Sequence, residues 1–329
     1  MTKLAILDDY QRVARSFADW SGVDQRCAMT VFDQNIPTIE IAEETLRDFD
    51  IICAMRERLP FPRALFERLP KLRLLVTTGA KNRSIDLEAA TDHGVLVCHT
   101  GGAYSLHTTA ELAWTLILAG MRNLPVEDHN MRSGGWQTTV GRGLHGKTLG
   151  IIGLGRIGER LAAFGNTFGM TVLAWSQNLT AEDAQAKGAE RVEKEDLLRR
   201  SDVISLHLVL SARTRGIIGV NEIGLMKPGA LLVNTSRGPL IDEDALLRAL
   251  REKHIVAGLD VYDEEPLPAT HPLRSCDNAV LTPHLGYVSQ EVYDVFYKDT
   301  AEDVLAFLNG SPIRMLNPEV LDKQPNPAV

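Results

Sequence analysis

A chain of 329 residues exceeds the usual reach of one hydrophobic core, so two domains are expected. With 44% hydrophobic and 24% charged residues the composition is that of an ordinary globular protein, which excludes disordered and fibrous classes. The net charge of -8 leaves no basic footprint for nucleic acid or anionic lipid, and the scattered Cys27, Cys53, Cys98 and Cys276, with no CxxC pair, exclude a zinc cluster or disulfide framework.

The N-terminal MTKLAILDDY lacks the apolar core of a signal peptide and reads as a first strand, and apolar stretches such as residues 112–121 are too short to span a bilayer. A cytoplasmic protein with no membrane partner is expected. Short apolar runs at residues 4–7, 29–32, 51–55, 72–77 and 95–98 alternate with helix-like segments at 11–20, 39–47, 62–69 and 85–93. Such alternation implies a parallel sheet covered on both faces, in which the cysteines are small buried hydrophobes. This unit carries no glycine fingerprint, so cofactor binding is not expected of it.

Thr100, Gly101 and Gly102 break the pattern, and residues 106–121 form a long, largely apolar helix. Residues 130–146, rich in glycine and containing Trp136, read as an exposed loop. Then comes TLGIIGLGRIGERL, residues 148–161. A β-branched strand leads into Gly153, Gly155 and Gly158 at GxGxxG spacing, and Ile157, Leu161, Phe164 and Phe168 mark one apolar helix face. The first glycine permits the turn, the second lets backbone amides approach a pyrophosphate, and the third lets helix and strand pack closely. The helix N-terminus then offers its unpaired amides to the phosphates.

Further strands are expected at 171–175, 203–206, 231–233, 256–259 and 280–281, with Asp242 capping a helix over 243–253. The proline-punctuated stretch 260–279 is long enough to be a functional loop. A final helix at 291–308 is expected to return to the first domain, giving domains of 1–101 plus 289–329 and of 102–288.

Three side chains following strands of the second half suit carbonyl reduction: Arg237 in NTSRG, Glu265 in DVYDEEP and His284 in LTPHLG. Hydride arriving at a 2-oxo carbon builds negative charge on its oxygen, so a positioned acid must deliver a proton, the role of His284. A neighbouring carboxylate, Glu265, favours the protonated imidazole and fixes its orientation. The planar guanidinium of Arg237 can grip a substrate carboxylate and polarise the adjoining carbonyl.

With GLGRIG, VNTSRGPLIDEDAL, GLDVYDEEP and TPHLG in that order, nearly the full length resembles the D-isomer-specific 2-hydroxyacid dehydrogenases, the family of phosphoglycerate dehydrogenase and glyoxylate/hydroxypyruvate reductase. The resemblance implies an α/β fold of two doubly wound parallel-sheet domains, a flavodoxin-like substrate domain and a Rossmann dinucleotide-binding domain. It also implies a cleft between them, a homodimer, and a small 2-hydroxy or 2-oxo acid substrate with no metal. It makes Arg237, Glu265 and His284 the catalytic set. Arg156 and Ile157 fall on the pyrophosphate, Thr235 and Ser236 near the nicotinamide half, Asp260 on the nicotinamide amide, and Gly286 among the cofactor contacts. Gly79 and Ala80 match the loop whose amides receive the substrate carboxylate. Arg56 and Arg58 resemble arginines that meet acidic substrate tails, and read equally well as an exposed pair flanking Glu57.

One position departs from the family. The acidic residue expected about 20 residues beyond the fingerprint, which clamps the ribose and repels a 2′-phosphate, is Ser176, followed by Gln177 and Asn178. No arginine follows immediately, so NAD and NADP both stay open. Glu265 stands where the related formate dehydrogenases carry glutamine, which argues against formate. The C-terminal-binding corepressors, dinucleotide-gated scaffolds of the same fold, are the competing reading.

Overall fold

A computed structural model describes residues 1–102 and 104–323. The chain divides into two compact units, residues 1–104 joined by those from 289 onward, and residues 105–288.

In the first unit, strands β1 (Thr2–Ile6), β2 (Cys27–Val31), β3 (Ile51–Ala54), β4 (Leu74–Thr77) and β5 (Leu96–His99) form an all-parallel sheet in the order β2-β1-β3-β4-β5, the flavodoxin-like order. β3 and β4 are buried along their whole length, as continuous apolar runs must be when helices cover both faces. Four helices accompany them: α1 (Ser21–Asp24), α2 (Ile39–Leu46), α3 (Arg63–Phe66) and α4 (Leu87–Asp92). The Thr38 and Asp86 side chains cap α2 and α4 by accepting from the amides of Ile41 and Ala89. Phe61 and Phe66 are fully buried in the core, each worth about 1.5–3 kcal/mol of apolar burial. Cys27, Cys53 and Cys98 are buried and unpaired to one another, as expected of small hydrophobes.

Residues 11–20 are not helical. The Asp9 carboxylate accepts from the amides of Val13 (2.9 Å) and Ala14 (2.9 Å), and Arg12 lies in the left-handed region at φ 58°. These local bonds hold the segment in turns and defer the helix to α1.

The second unit opens with α5 (Ser105–Met121), packed on the sheet, and α6 (Leu124–Arg132). The exposed loop therefore begins after Arg132 rather than at residue 130. Strands β6 (Thr148–Ile152), β7 (Thr171–Trp175), β8 (Glu190–Arg191), β9 (Val203–Leu206), β10 (Ala230–Asn234), β11 (Ile255–Leu259) and β12 (Ala279–Leu281) form a parallel sheet in the order β12-β11-β10-β9-β6-β7-β8. Its helices are α7 (Arg156–Thr167), α8 (Ala181–Ala186), α9 (Lys194–Arg200), α10 (Val220–Leu225) and α11 (Glu243–Arg251), the last capped by Asp242 through the Ala245 amide. Chain order reverses between β6 and β9, the switch point at which an open α/β sheet forms its ligand crevice.

The chain then returns to the first sheet. α12 (Gln290–Leu308), capped by Ser289, packs on β4 and β5, and α13 (Val320–Lys323) ends the described residues. Among the described residues no helix is long and apolar enough to cross a membrane, and no cluster of ligating side chains could hold a metal.

Candidate active site

The glycine turn sits at the carboxyl end of β6. Gly153 has φ 103°, and a Cβ there would lie 2.6 Å from the carbonyl oxygen of His207. A Cβ on Gly158 would lie 2.3 Å from the carbonyl oxygen of Gly153, so α7 can pack against the turn only because this residue has no side chain. Gly155 meets nothing within 4 Å, and its face is open to an approaching ligand. The amides of Arg156 and Ile157 begin α7 beside that opening, which suits a pyrophosphate. Trp114 of α5 packs at an angle against Phe164 of α7 (5.7 Å between ring centres) and edge-on against Phe168 at the helix end (5.0 Å), joining the two helices.

At the end of β7 the Ser176 hydroxyl oxygen accepts from the Leu154 amide at 3.1 Å, tying this strand to the glycine turn. Two cations that sequence reading missed converge here. Lys187 Nζ donates to the Leu154 carbonyl at 3.0 Å, and Arg213 Nη1 donates to Gln177 Oε1 at 3.3 Å. Arg213 is 36 residues from Gln177, on the loop after β9, so only the sheet order brings it there.

Two further polar atoms at neighbouring strand ends are buried without a partner: Thr235 Oγ1 after β10, and Nδ1 of His207 after β9. His207 Nε2 is bonded to Ser205 Oγ at 2.8 Å, and burial pushes the imidazole down to about 4, so it is neutral at physiological pH. Unpaired buried groups are costly unless a ligand satisfies them, so the pair fits a polar cofactor laid along this edge. His207 escaped the sequence analysis because no motif marks it. Ser236, next to Thr235, is turned inward, its hydroxyl donating to the Leu206 carbonyl at 2.8 Å.

Arg237, Glu265 and His284 follow β10, β11 and β12, three adjacent strands of one sheet. Asn234 braces the NTSRG turn by donating to the Arg237 carbonyl (2.8 Å) and accepting from the Ser236 amide (3.0 Å), while Arg237 Nη1 donates to the Ser236 carbonyl at 2.6 Å. His284 sits at φ 55°, and its Nδ1 lies 2.5 Å from Glu265 Oε2. The other Glu265 oxygen accepts from the Tyr262 amide at 3.0 Å. Both side chains are about a quarter exposed, which leaves the imidazole reachable.

Asp260 lies at the end of β11, beside the loop that follows β12. It is fully buried, and its carboxylate accepts from Thr282 Oγ1 (2.6 Å), the Leu285 amide (2.7 Å) and the Gly286 amide (2.9 Å). Burial raises its affinity for a proton, and these three donors oppose that rise. The residue braces the loop that carries His284. Gly286 is likewise engaged internally, its carbonyl accepting from the Thr108 and Thr109 hydroxyls, both at 2.9 Å.

On the first unit, the Gly79 amide donates to Thr100 Oγ1 at 2.8 Å. Ala80 beside it is exposed. Gly79 has φ 85°, and a Cβ there would fall 1.8 Å from Arg56 Nη1, so the glycine is what admits the Arg56 side chain across the loop. Arg56 Nη1 donates to the Thr78 carbonyl at 3.1 Å, and the Arg58 guanidinium lies 5.2 Å from the Tyr10 ring centre. Both arginines are half-buried, so the reading of an exposed pair is set aside.

Residues 114–286 match the family described as D-isomer specific 2-hydroxyacid dehydrogenase, NAD binding domain. The chain belongs to the D-isomer-specific 2-hydroxyacid dehydrogenases. It is similar to a glyoxylate reductase of Aeropyrum pernix, 41% identical over 268 residues that cover 78% of this chain and 80% of that one. Among solved structures it is similar to a phosphoglycerate oxidoreductase of Vibrio cholerae o395, with a TM-score of 0.88 and 38% identity over 94% of this chain and all of the other. A D-lactate dehydrogenase of Aquifex aeolicus, solved with NAD and lactic acid, superposes with a TM-score of 0.74 at 28% identity, covering 98% of each chain. This dehydrogenase is therefore an oxidoreductase that transfers hydride between a nicotinamide cofactor, NAD or NADP, and a 2-hydroxy acid or 2-oxo acid pair. The corepressor reading finds no support among these relatives.

Proposed function

We propose that the enzyme reduces a small 2-oxo acid of the glyoxylate or hydroxypyruvate kind to the D-2-hydroxy acid. The observation that carries this reading is the 2.5 Å contact between His284 and Glu265, an imidazole held by a carboxylate on one nitrogen and open on the other. The bound nicotinamide supplies or accepts the hydride. His284 Nε2 is the proton donor to the carbonyl oxygen in reduction and the acceptor in oxidation. Glu265 holds the ring and balances its positive charge. Arg237 takes the substrate carboxylate and polarises the carbonyl. Arg156 and Ile157 hold the pyrophosphate, and the unpaired Thr235 hydroxyl and His207 Nδ1 face the nicotinamide half.

The substrate assignment is supported by the glyoxylate reductase likeness. It is tested with glyoxylate, hydroxypyruvate, pyruvate, phenylpyruvate and phosphohydroxypyruvate, each with NADH and NADPH. The two smallest polar acids are expected to give the highest kcat/KM. A preference for phenylpyruvate or phosphohydroxypyruvate would overturn the assignment.

A cytoplasmic homodimer is part of the same proposal. Helix α6 buries none of its residues, and with the following loop it exposes Leu124, Met131, Trp136 and Val140 at 59%, 59%, 71% and 94%. Apolar side chains clustered on so short a segment fit a surface covered by a second copy. Sedimentation should give twice the chain mass, and Trp136→Glu with Met131→Glu should yield monomer.

A further inference from the structure

We propose that Arg213 and Lys187, with the hydroxyl of Ser176, form a subsite for a phosphate on the adenosine ribose, so that this chain prefers NADPH to NADH. The inference rests on the dinucleotide reading above and names which dinucleotide. Four segments converge at the switch-point end of the second sheet: the glycine turn through Leu154, the end of β7 through Ser176 and Gln177, the residue after α8, Lys187, and the loop after β9, Arg213. In a doubly wound sheet this edge receives the adenosine ribose, and an acid after β7 would repel a 2′-phosphate.

Here the repelling acid is missing and two cations have been brought in. Ser176 Oγ accepts from the Leu154 amide, which leaves its proton to donate outward. Lys187 Nζ is anchored by the Leu154 carbonyl with two more N–H donors to give. Arg213 is exposed, and its contact with Gln177 is a 3.3 Å bond to a neutral amide oxygen. A phosphate monoester, close to doubly charged at neutral pH, is a far stronger acceptor for a guanidinium than that amide. The acids of α8, Glu182 and Asp183, lie in its first turn, at the opposite end of the helix from Lys187. A bare ribose diol would leave both cations with nothing to neutralise, so the arrangement discriminates by gain for the phosphate rather than by rejection of the diol.

The test is equilibrium binding to the purified chain, followed by titration calorimetry and by quenching of intrinsic fluorescence, for which Trp175 at the end of β7 is a local reporter. NADPH is expected to bind roughly 10- to 100-fold more tightly than NADH, the value of one or two charge-assisted bonds. Adenosine 2′,5′-bisphosphate should exceed 5′-AMP by a similar factor. Arg213→Ala should remove most of the preference while leaving the NADH dissociation constant within about twofold, and Arg213→Lys should keep part of it. Raising the salt concentration should narrow the preference, since the site is open to solvent. NADH binding as tightly as NADPH, or Arg213→Ala weakening both equally, would overturn the inference. Binding of neither dinucleotide would overturn the cofactor reading itself, and this subsite with it.

Discussion

Nδ1 of His284 and Oε2 of Glu265 stand 2.5 Å apart, and the second oxygen of the same carboxylate is held by the Tyr262 amide at 3.0 Å. The carboxylate is fixed from behind, so it fixes the imidazole in turn, and Nε2 is the nitrogen left for substrate. Glu265→Gln keeps the shape and one hydrogen bond but removes the charge. Turnover in reduction should fall by roughly 10- to 100-fold, because the ring loses the charge that orients and balances it. His284→Asn, with no proton to give, should lose roughly 100- to 10,000-fold at every pH. Dinucleotide binding should be unchanged in both. Wild-type turnover in Glu265→Gln would mean that the charge does not support the imidazole.

Behind His284 stands Asp260, which accepts three hydrogen bonds while fully buried. Asparagine has one acceptor oxygen to offer in place of two and turns an amide toward backbone N–H groups. At least one of the Leu285 and Gly286 amides then loses its partner, at a cost of about 1–3 kcal/mol. Asp260→Asn should lower Tm by several degrees. It should reduce kcat more than it raises KM, because the loop it releases carries the proton donor and not the anion site. Unchanged kcat in a folded Asp260→Asn variant would show that the brace has no bearing on His284.

The glycine turn separates fold from binding within four residues. Gly158→Ala places a methyl 2.3 Å from the Gly153 carbonyl oxygen, so turn and helix must part, and stability should fall by about 1–3 kcal/mol. Gly155 has extended backbone at φ -83°, and a methyl there would meet nothing within 4 Å, so Gly155→Ala should fold as the parent does. Its methyl would occupy the approach to the α7 amides, and dinucleotide affinity should drop by roughly tenfold or more. Chemical denaturation paired with nucleotide titration reads both effects. Wild-type affinity in Gly155→Ala would place the pyrophosphate elsewhere.

The parallel strands were legible because continuous apolar runs bounded by turns have one physical use in an alternating chain, and every run named from sequence became a strand. The 11–20 segment misled because its helical spacing is real, but the Asp9 carboxylate captures the Val13 and Ala14 amides before a helix can. The short α6 was hidden because helix periodicity announces a buried face, and α6 buries none of its residues. At the site, Glu265 and His284 could be paired from chemistry alone. The engagement of the Gly79 amide by Thr100, the inward turn of Asp260, the orphaned His207 nitrogen and the arrival of Arg213 at Gln177 could not, since each depends on partners that only the sheet order brings together.

One titration in the first unit should register in stability. Asp8, 5% exposed and at φ 58°, accepts from the Tyr10 hydroxyl at 3.1 Å. Burial nevertheless outweighs that bond and the Arg58 charge, raising its carboxyl from 3.8 to about 6. A carboxyl whose folded-state value is raised binds its proton more tightly in the native protein. Its contribution to stability is therefore fully present below the unfolded value and is lost as pH climbs through about 6. The loss amounts to about 3 kcal/mol at most. Asp8→Asn keeps the acceptor for Tyr10, tolerates the left-handed backbone and carries no charge at any pH. Denaturant unfolding of both proteins should give similar stabilities near pH 4, with the variant drawing ahead between pH 4 and 7 and the gap constant at higher pH. Parallel stability curves across that window would mean that Asp8 is ionised in the native state without penalty.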